Sequence, residues 1–247
     1  MRRFFTEPQN IVNNTACIQE DAAHITRVLR LEPGTEVLLF DGTGWEYTAV
    51  LTEVTPKECL AKITEKIFSQ QEPITQVTIF QGLPKAGKME SIIQKSVELG
   101  ASSIVPVRLE RCVVKLDDEK KQTDKLKRWN KVALEAAKQC GRGKVPEVLP
   151  PVNLDQALLQ MQNLDLALMP YEVLGHLGDH SLKTVLQSGN AKNIGILIGP
   201  EGGFSDAEAE KAKKAGLSLI GLGKRILRTE TVASTLLSMI MYENNEI

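Results

Sequence analysis

Two glycine-bearing stretches near the C-terminus hold the side chains best placed for chemistry. The first is Ile198-Gly199-Pro200-Glu201-Gly202-Gly203-Phe204. It follows a run of buried-strand character and precedes Ser205-Asp206-Ala207-Glu208, a capping box in which Ser205 caps a helix and Glu208 reaches back. The second, Leu222-Gly223-Lys224-Arg225-Ile226-Leu227-Arg228-Thr229-Glu230-Thr231, also leaves a strand and enters a helix. Glycine allows a backbone to approach a ligand closely, and open α/β sheets bind ligands at the C-terminal edges of their strands. Two ordinary strand-to-helix loops would explain the glycines. They explain less well why Glu201, Arg228 and Glu230 gather at one edge. The pattern predicts a binding cleft without identifying its ligand.

Two other spacings suggest chemistry and fail on detail. Gly82-Leu83-Pro84-Lys85-Ala86-Gly87-Lys88-Met89 has the GxxxxGK form of a phosphate loop, between a predicted strand and helix. Met89 stands where a magnesium-binding hydroxyl belongs, and Pro84 removes an N–H from the cradle. The one apolar run that ends in an aspartate, Val37–Asp41, lies in the other domain and heads a turn. His176 and His180 are four apart, but no glutamate stands between them as in HExxH, and Gly175 and Gly178 favour a loop. No metal is expected. Cys17, Cys59, Cys112 and Cys140 form no CxxC pair, which argues against a zinc knuckle or a disulfide frame and fits a reducing cytoplasm.

The elements that must position these residues read as two regions. From Ala16 to about Thr64 the apolar segments are short. Val37-Leu38-Leu39-Phe40 enters the turn Asp41-Gly42-Thr43-Gly44, Trp45, Tyr47, Ala49 and Leu51 recur at period two, and Cys59–Ile63 is a further strand. One helix is predicted over Asp21–Leu31, closed by Pro33-Gly34. This is a small β-barrel-like domain, residues 1–72, with Ser69–Pro73 as linker. Residues 73–247 alternate strands (Val77–Gly82, Ser103–Val107, Leu164–Met169, Ile194–Gly199, Leu217–Leu222) with helices, the signature of an α/β domain with a mainly parallel sheet. Helical stripes run through Met89, Ile92, Ile93, Ser96 and Val97, and through Leu126, Trp129, Val132, Ala133, Ala136 and Cys140. The last helix, about Thr231 to Glu243, is expected to bury Val232, Leu236, Met239 and Ile240, and with Leu237 and Met241 it is apolar around more of its circumference than one core contact needs. A symmetric partner would cover the surplus, with Met241 pointing outward.

Composition narrows the class. No apolar run reaches the roughly 20 residues needed to span a bilayer, and Met1–Pro8 turns polar too early for a signal peptide. The net charge of −1 hides an asymmetry: residues 1–72 carry −4, residues 73–247 carry +3, and residues 108–144 alone carry +6. A local basic face on a near-neutral protein suits a specific RNA contact, although a solvated helix face would look the same.

The two C-terminal stretches together closely resemble the RsmE family of SPOUT RNA methyltransferases. The resemblance spans essentially the whole chain. It includes Met1-Arg2-Arg3-Phe4-Phe5, His24-x-x-Arg27-Val28-Leu29-Arg30, Phe40-Asp41-Gly42-x-Gly44, Lys88-Met89-Glu90, Gln94-Lys95-x-Val97-Glu98-Leu99-Gly100, Glu110-Arg111, Arg128-Trp129, and Glu135-Ala136-Ala137-x-Gln139-x-Gly141-Arg142. Cys112 and Cys140 depart from it, standing where serine is expected.

The resemblance implies a trefoil-knotted SPOUT α/β methyltransferase domain behind a PUA-like RNA-binding domain, in a cytoplasmic homodimer paired through the knot region. It implies transfer of the S-adenosylmethionine methyl group to N3 of a specific uridine in 16S ribosomal RNA of the small subunit. The rivals are a P-loop nucleotidase and a non-catalytic RNA-binding ribosome-assembly factor. The cofactor residues carried over are Met169, Leu197, Gly199, Glu201, Gly202, Leu222, Gly223, Ile226 and Leu227. Arg3, Arg27, Arg30, Arg111 and Arg142 are the implied RNA contacts. Uracil N3–H is a weak acid, so a general base or a cation stabilising the anion is required. Glu201 and Glu230 are candidates for the base, or merely cap the adjacent helices. Arg228 is the candidate cation, or pairs with either glutamate. Lys85–Glu90 would then open the first helix of the methyltransferase domain.

Overall fold

The computed structural model describes residues 1–85, 87–116, 118–176, 181–187 and 191–247; His180, and with it the His176–His180 spacing, lies outside the described residues. The chain divides into two compact units, Met1–Glu72 with Ala137–Val145, and Pro73–Ala136 with Pro146–Ile247.

The first unit contains β1 (Arg2–Phe5), β2 (Ile11–Val12), β3 (Thr15–Ile18), β4 (Glu36–Phe40), β5 (Trp45–Val54) and β6 (Cys59–Phe68). They form one sheet in the order β1-β4-β5-β6-β3-β2, with β1 and β4 parallel and the other pairs antiparallel. Period-two alternation places Val37, Leu39, Tyr47, Ala49 and Leu51 in the core with Phe4, Ile18 and Ile25. Thr6 Oγ1, just beyond β1, donates to the Cys17 carbonyl of β3 at 2.8 Å and so ties the edge strand β1 to β3, four places away in the sheet order.

The helix expected over Asp21–Leu31 is shorter. An α-type turn (Ile25 N–H to Asp21 O) gives way to a π-turn over His24–Val28, closed by Leu29 N–H on His24 O. Arg30 follows with φ +51° and ends it.

Residues 137–145 join this unit because charge holds them there. Lys138 Nζ pairs with Asp21 Oδ1, and Arg142 Nη2 with Glu72 Oε2, both at 2.8 Å. Arg3 Nη2 bonds Glu46 Oε1 (2.8 Å) and the Arg142 carbonyl (2.7 Å), with its guanidinium 3.8 Å over the Phe40 ring. Buried charges persist only when paired in this way. The presumed linker belongs to the same unit: Ser69 is buried and donates to Glu46.

The second unit contains β7 (Gln76–Gly82), α1 (Lys88–Glu98), β8 (Ser103–Arg108), the first part of α2 (Glu119–Cys140), β9 (Glu147–Val148), β10 (Val152–Asn153), α3 (Leu154–Met161), β11 (Leu166–Pro170), α4 (Glu172–His176), α5 (Ser181–Gln187), β12 (Asn193–Ile198), α6 (Asp206–Lys214), β13 (Ser218–Ile220) and α7 (Thr229–Glu243). Every recorded strand pair is parallel, in the order β10-β8-β7-β12-β11-β13 with β9 beside β8. β12 is buried from Ile194 to Ile198, as expected of a parallel strand covered on both faces.

All five residues of the first stripe are buried on α1. α6 opens on the expected box, Ser205 Oγ accepting from Glu208 N and the Glu208 carboxylate from Ser205 N.

The outward face of α7 differs from the expected one. Met241 is 1% exposed, and a Cβ added at Gly100, just beyond α1, would meet its Cε at 3.1 Å. Met239 and Tyr242 are the residues that point to solvent. An all-round apolar sequence does not reveal which side the core occupies.

Candidate functional site

The C-terminal ends of β11, β12 and β13 and the start of α7 enclose a cavity of about 440 Å³. Its apolar wall includes Tyr171, Ile198, Phe204, Leu222, Leu227 and Val232; its polar lining includes Lys88, Arg111, Glu172, Glu201, Asp206 and Arg228. Both glycine-bearing stretches contribute, so the sequence-predicted edge is one site.

The strand ends carry the loops to this edge, and two glycines open them. Gly203 (φ +64°) and Gly223 (φ +84°) line the cavity in left-handed conformations, and a Cβ added at either would meet nothing within 4 Å. A ligand can therefore approach bare backbone there.

Of the residues expected at the cofactor, Gly199, Glu201, Leu222, Gly223, Ile226 and Leu227 line the cavity. Met169 and Leu197 place their side chains in the core beneath it, each one residue short of a lining residue. Gly202 faces Arg111, whose Cβ would stand 3.1 Å from an added Cβ. Arg111 lies at the cavity and donates from Nη1 to the Gly202 carbonyl at 2.9 Å. Arg27 and Arg30 are exposed on the first unit. Arg3 and Arg142 are held inside that unit by the ion pairs described above, so their guanidiniums do not face solvent as free cations.

The two glutamates converge on a lysine. Lys88 Nζ lies 3.1 Å from Glu201 Oε1 and 3.3 Å from Glu230 Oε2. The Lys85 amide also donates to the Glu201 carboxylate, at 3.1 and 3.2 Å. Burial works to raise the Glu201 carboxyl. Hydrogen bonds from its own amide, Lys88 and Lys85 outweigh that and hold it below the usual carboxylate range. Glu230 is also held low, first by its own amide and then, against burial, by Lys88. Lys88 is pushed up, chiefly by its bond to Glu201.

This ammonium faces carboxylates, the reverse of a triphosphate cradle, and α1 begins at Lys88 rather than Lys85. Lys88 was absent from the expected site. Its signals in the sequence were the phosphate-loop spacing, whose lysine is the same residue, and its place in the Lys88-Met89-Glu90 motif of the resemblance. The Tyr171 hydroxyl bond to Asp206 Oδ1 (2.9 Å) at the cavity had no sequence signal.

A titration follows from these signs. The depressed carboxylates stabilise the fold above the ordinary glutamate range, and that stabilisation is lost as pH falls through their lowered values. Lys88→Met should therefore lower the melting temperature by a few degrees at pH 7, with the deficit shrinking toward pH 4. A deficit independent of pH would show that Lys88 acts through packing alone.

Among the described residues Arg228 makes no ion pair; it is exposed, lines the cavity and is the N-cap of α7.

Residues 70–241 match the family described as RNA methyltransferase domain, and residues 19–64 match RNA methyltransferase PUA domain. The chain is 38% identical over 226 residues to Ribosomal RNA small subunit methyltransferase E of Bacillus subtilis, covering 91% of this chain and 88% of the relative. To the protein of the same name from Synechocystis it is 32% identical over 241 residues, covering 96% and 76%. A crystal structure of Ribosomal RNA small subunit methyltransferase E from Neisseria gonorrhoeae, bound to S-adenosyl methionine, superposes with a TM-score of 0.85 at 32% identity, covering 98% of this chain and 97% of that one.

Proposed function

Because the chain belongs to the ribosomal RNA small subunit methyltransferase E family, we propose that it methylates N3 of one uridine in the 16S RNA of the small ribosomal subunit, using S-adenosylmethionine. The observation that carries this reading is the cavity at the sheet edge. At about 440 Å³ it falls in the size range of small-molecule sites.

Its lining fits the cofactor's chemistry. Open backbone at Gly203 and Gly223 can meet polar groups, and Leu222, Leu227 and Ile226 supply apolar walls for a flat ring. Glu172 and Asp206 suit the cofactor's cationic centres, and Arg111 or Arg225 its carboxylate. S-adenosylmethionine, when bound, supplies an activated methyl group.

The chain's own task is to position the uracil and to lower the cost of losing the N3 proton. Glu201 and Glu230 are poor bases for it, because Lys88 and backbone amides favour their ionised forms and so weaken their hold on a proton. We therefore assign them to holding the two loops against α1. With Arg111 or Arg225 left to the cofactor's carboxylate, Arg228, exposed at the cavity and at the N-cap of α7, is the arginine we assign to stabilising the uracil anion. A calorimetric titration tests the cofactor assignment: S-adenosylmethionine should bind, and magnesium-ATP should not. ATP binding alone would return the phosphate-loop reading.

The first unit supplies RNA contacts through the exposed Arg27 and Arg30. Arg27→Ala with Arg30→Ala should weaken RNA binding and flatten the salt dependence by up to about two phosphate contacts. An unchanged slope would leave the π-turn a purely structural element.

Pairing of two chains accounts for the outward apolar residues of α7. Tyr242 is 73% exposed although it lies on a helix whose other face is core. Tyr242→Asp with Met239→Asp should shift the chain from dimer to monomer in sedimentation; a variant as dimeric as the parent would place the interface elsewhere. No helix among the described residues is long and apolar enough to cross a membrane. Ribosomal RNA as substrate supports a cytoplasmic site of action.

A further inference from the structure

The first unit carries a second patch that the cavity does not use. Trp45 opens β5 and Phe68 closes β6, and the two are direct cross-strand partners, as are Tyr47 and Lys66. Period two puts all four on one face of the sheet. Toward Tyr47 that face enters the core; at Trp45 and Phe68 it reaches the surface, where the two rings are 38% and 49% exposed. The rings meet edge to face, with centroids 5.2 Å apart. Lys66 Nζ lies 4.2 Å from the centre of the Trp45 ring. On the other side the chain of residues 137–145 brings in Lys144. A Cβ added at Gly44 would meet the Phe68 ring at 2.9 Å and Lys144 Cε at 3.4 Å, so ring and lysine flank the same point.

Two exposed aromatic rings between two exposed lysines match one kind of ligand. Sequence-specific RNA recognition splays out unpaired bases and stacks them on aromatic side chains, while nearby cations meet the phosphates. The local charge agrees: residues 137–145 add Lys138, Arg142 and Lys144 and no acidic residue, taking the unit's net charge from −4 to −1. Lys138 and Arg142 are occupied by ion pairs, whereas the Lys66 ammonium stands over the Trp45 ring and the Lys144 side chain runs beside Phe68 at Gly44. Glu65 and Ile67 alternate with Lys66 and Phe68 and so project from the other face of β6.

We infer that Trp45 and Phe68 form a stacking seat for an unpaired base of the RNA substrate, with Lys66 and Lys144 beside its phosphates. This rests on the RNA-methyltransferase reading, and it adds a recognition site distinct from Arg27 and Arg30.

The chain has two tryptophans, and Trp129 is buried, so Trp129→Phe in the full-length protein leaves Trp45 as the reporter. A short single-stranded RNA of mixed sequence should quench its fluorescence along the same curve as binding. Trp45→Ala should weaken RNA binding roughly tenfold, within the range alanine substitution gives for one stacked base, and Trp45→Phe should recover most of it. The slope of log affinity against log salt should stay the same in Trp45→Ala, since stacking releases no counterions. It should fall by up to about two contacts in Lys66→Ala with Lys144→Ala. S-adenosylmethionine affinity should be unchanged in all of these variants, and circular dichroism reports the fold of the first unit. RNA binding without quenching, or full RNA affinity in Trp45→Ala, overturns the seat. So does Trp45 fluorescence that responds to protein concentration and not to RNA, which would make the patch a protein contact. Methylation by the wild-type chain is scored separately. Quenching without methylation removes the parent function and keeps the seat, whereas methylation without quenching does the reverse.

Discussion

Gly199→Val should abolish S-adenosylmethionine binding, with a loss of at least about a hundredfold, in a protein that keeps its secondary structure. The reason is local crowding. A Cβ at Gly199 would stand 3.2 Å from the Gly203 Cα, the Gly203 carbonyl carbon and the Phe204 ring. The turn it presses on cannot easily retreat. Gly203 N–H is bonded to the Pro200 carbonyl, the Gly199 carbonyl accepts from Thr229 Oγ1 at 2.7 Å, and the Ser205 capping box fixes the far end. Valine's two further methyl groups must therefore push the loop into the cavity it lines. Gly199→Ala should lose only part of the affinity. The check is calorimetry alongside circular dichroism; a folded Gly199→Val protein with wild-type affinity would remove the loop from the cofactor site. Gly202, by contrast, faces Arg111, so valine there should act indirectly through that arginine.

Arg228→Ala should lower the rate of methyl transfer about 100- to 1000-fold, the usual effect of deleting one preorganised group that stabilises developing charge. S-adenosylmethionine affinity should change little. Arg228→Lys should recover part of the rate, because the charge remains but the planar fork is lost. Single-turnover kinetics separate these effects from product release. A rate within about twofold of wild type in Arg228→Ala would transfer the task elsewhere, and Glu201 or Glu230 would again have to be tested as the base.

What could be read from the sequence follows the range of the interactions. The Ser205 box and the α1 stripe are set by neighbours within four residues, and both formed as the pattern predicts. The sheet edge was legible because strand–glycine–helix junctions recur there. Lys88 was not, because its partners Glu201 and Glu230 stand more than a hundred residues away and only the parallel sheet brings them together. The same limit governs Arg3 and Arg142. Each reads as a cation available to RNA until Glu46 and Glu72 are placed beside it. Met241 and Met239 are two residues apart on a helix apolar nearly all round, so periodicity could not tell which was buried. The π-turn at His24–Val28, where Leu29 N–H reaches the His24 carbonyl, has no signature in residue type or spacing that separates it from an α-helix.

The identity of the modified nucleoside tests the proposed reaction most directly. Small ribosomal subunits that lack the modification should be incubated with this protein and S-adenosylmethionine, and their 16S RNA digested to nucleosides for mass spectrometry. One 3-methyluridine per subunit should be gained, and the gain should be absent when Arg228→Ala replaces the wild type over the same short incubation. A methyl group on uracil C5, on a ribose 2′-oxygen or on another base, or no gain from wild-type protein that binds S-adenosylmethionine, would contradict the proposed reaction.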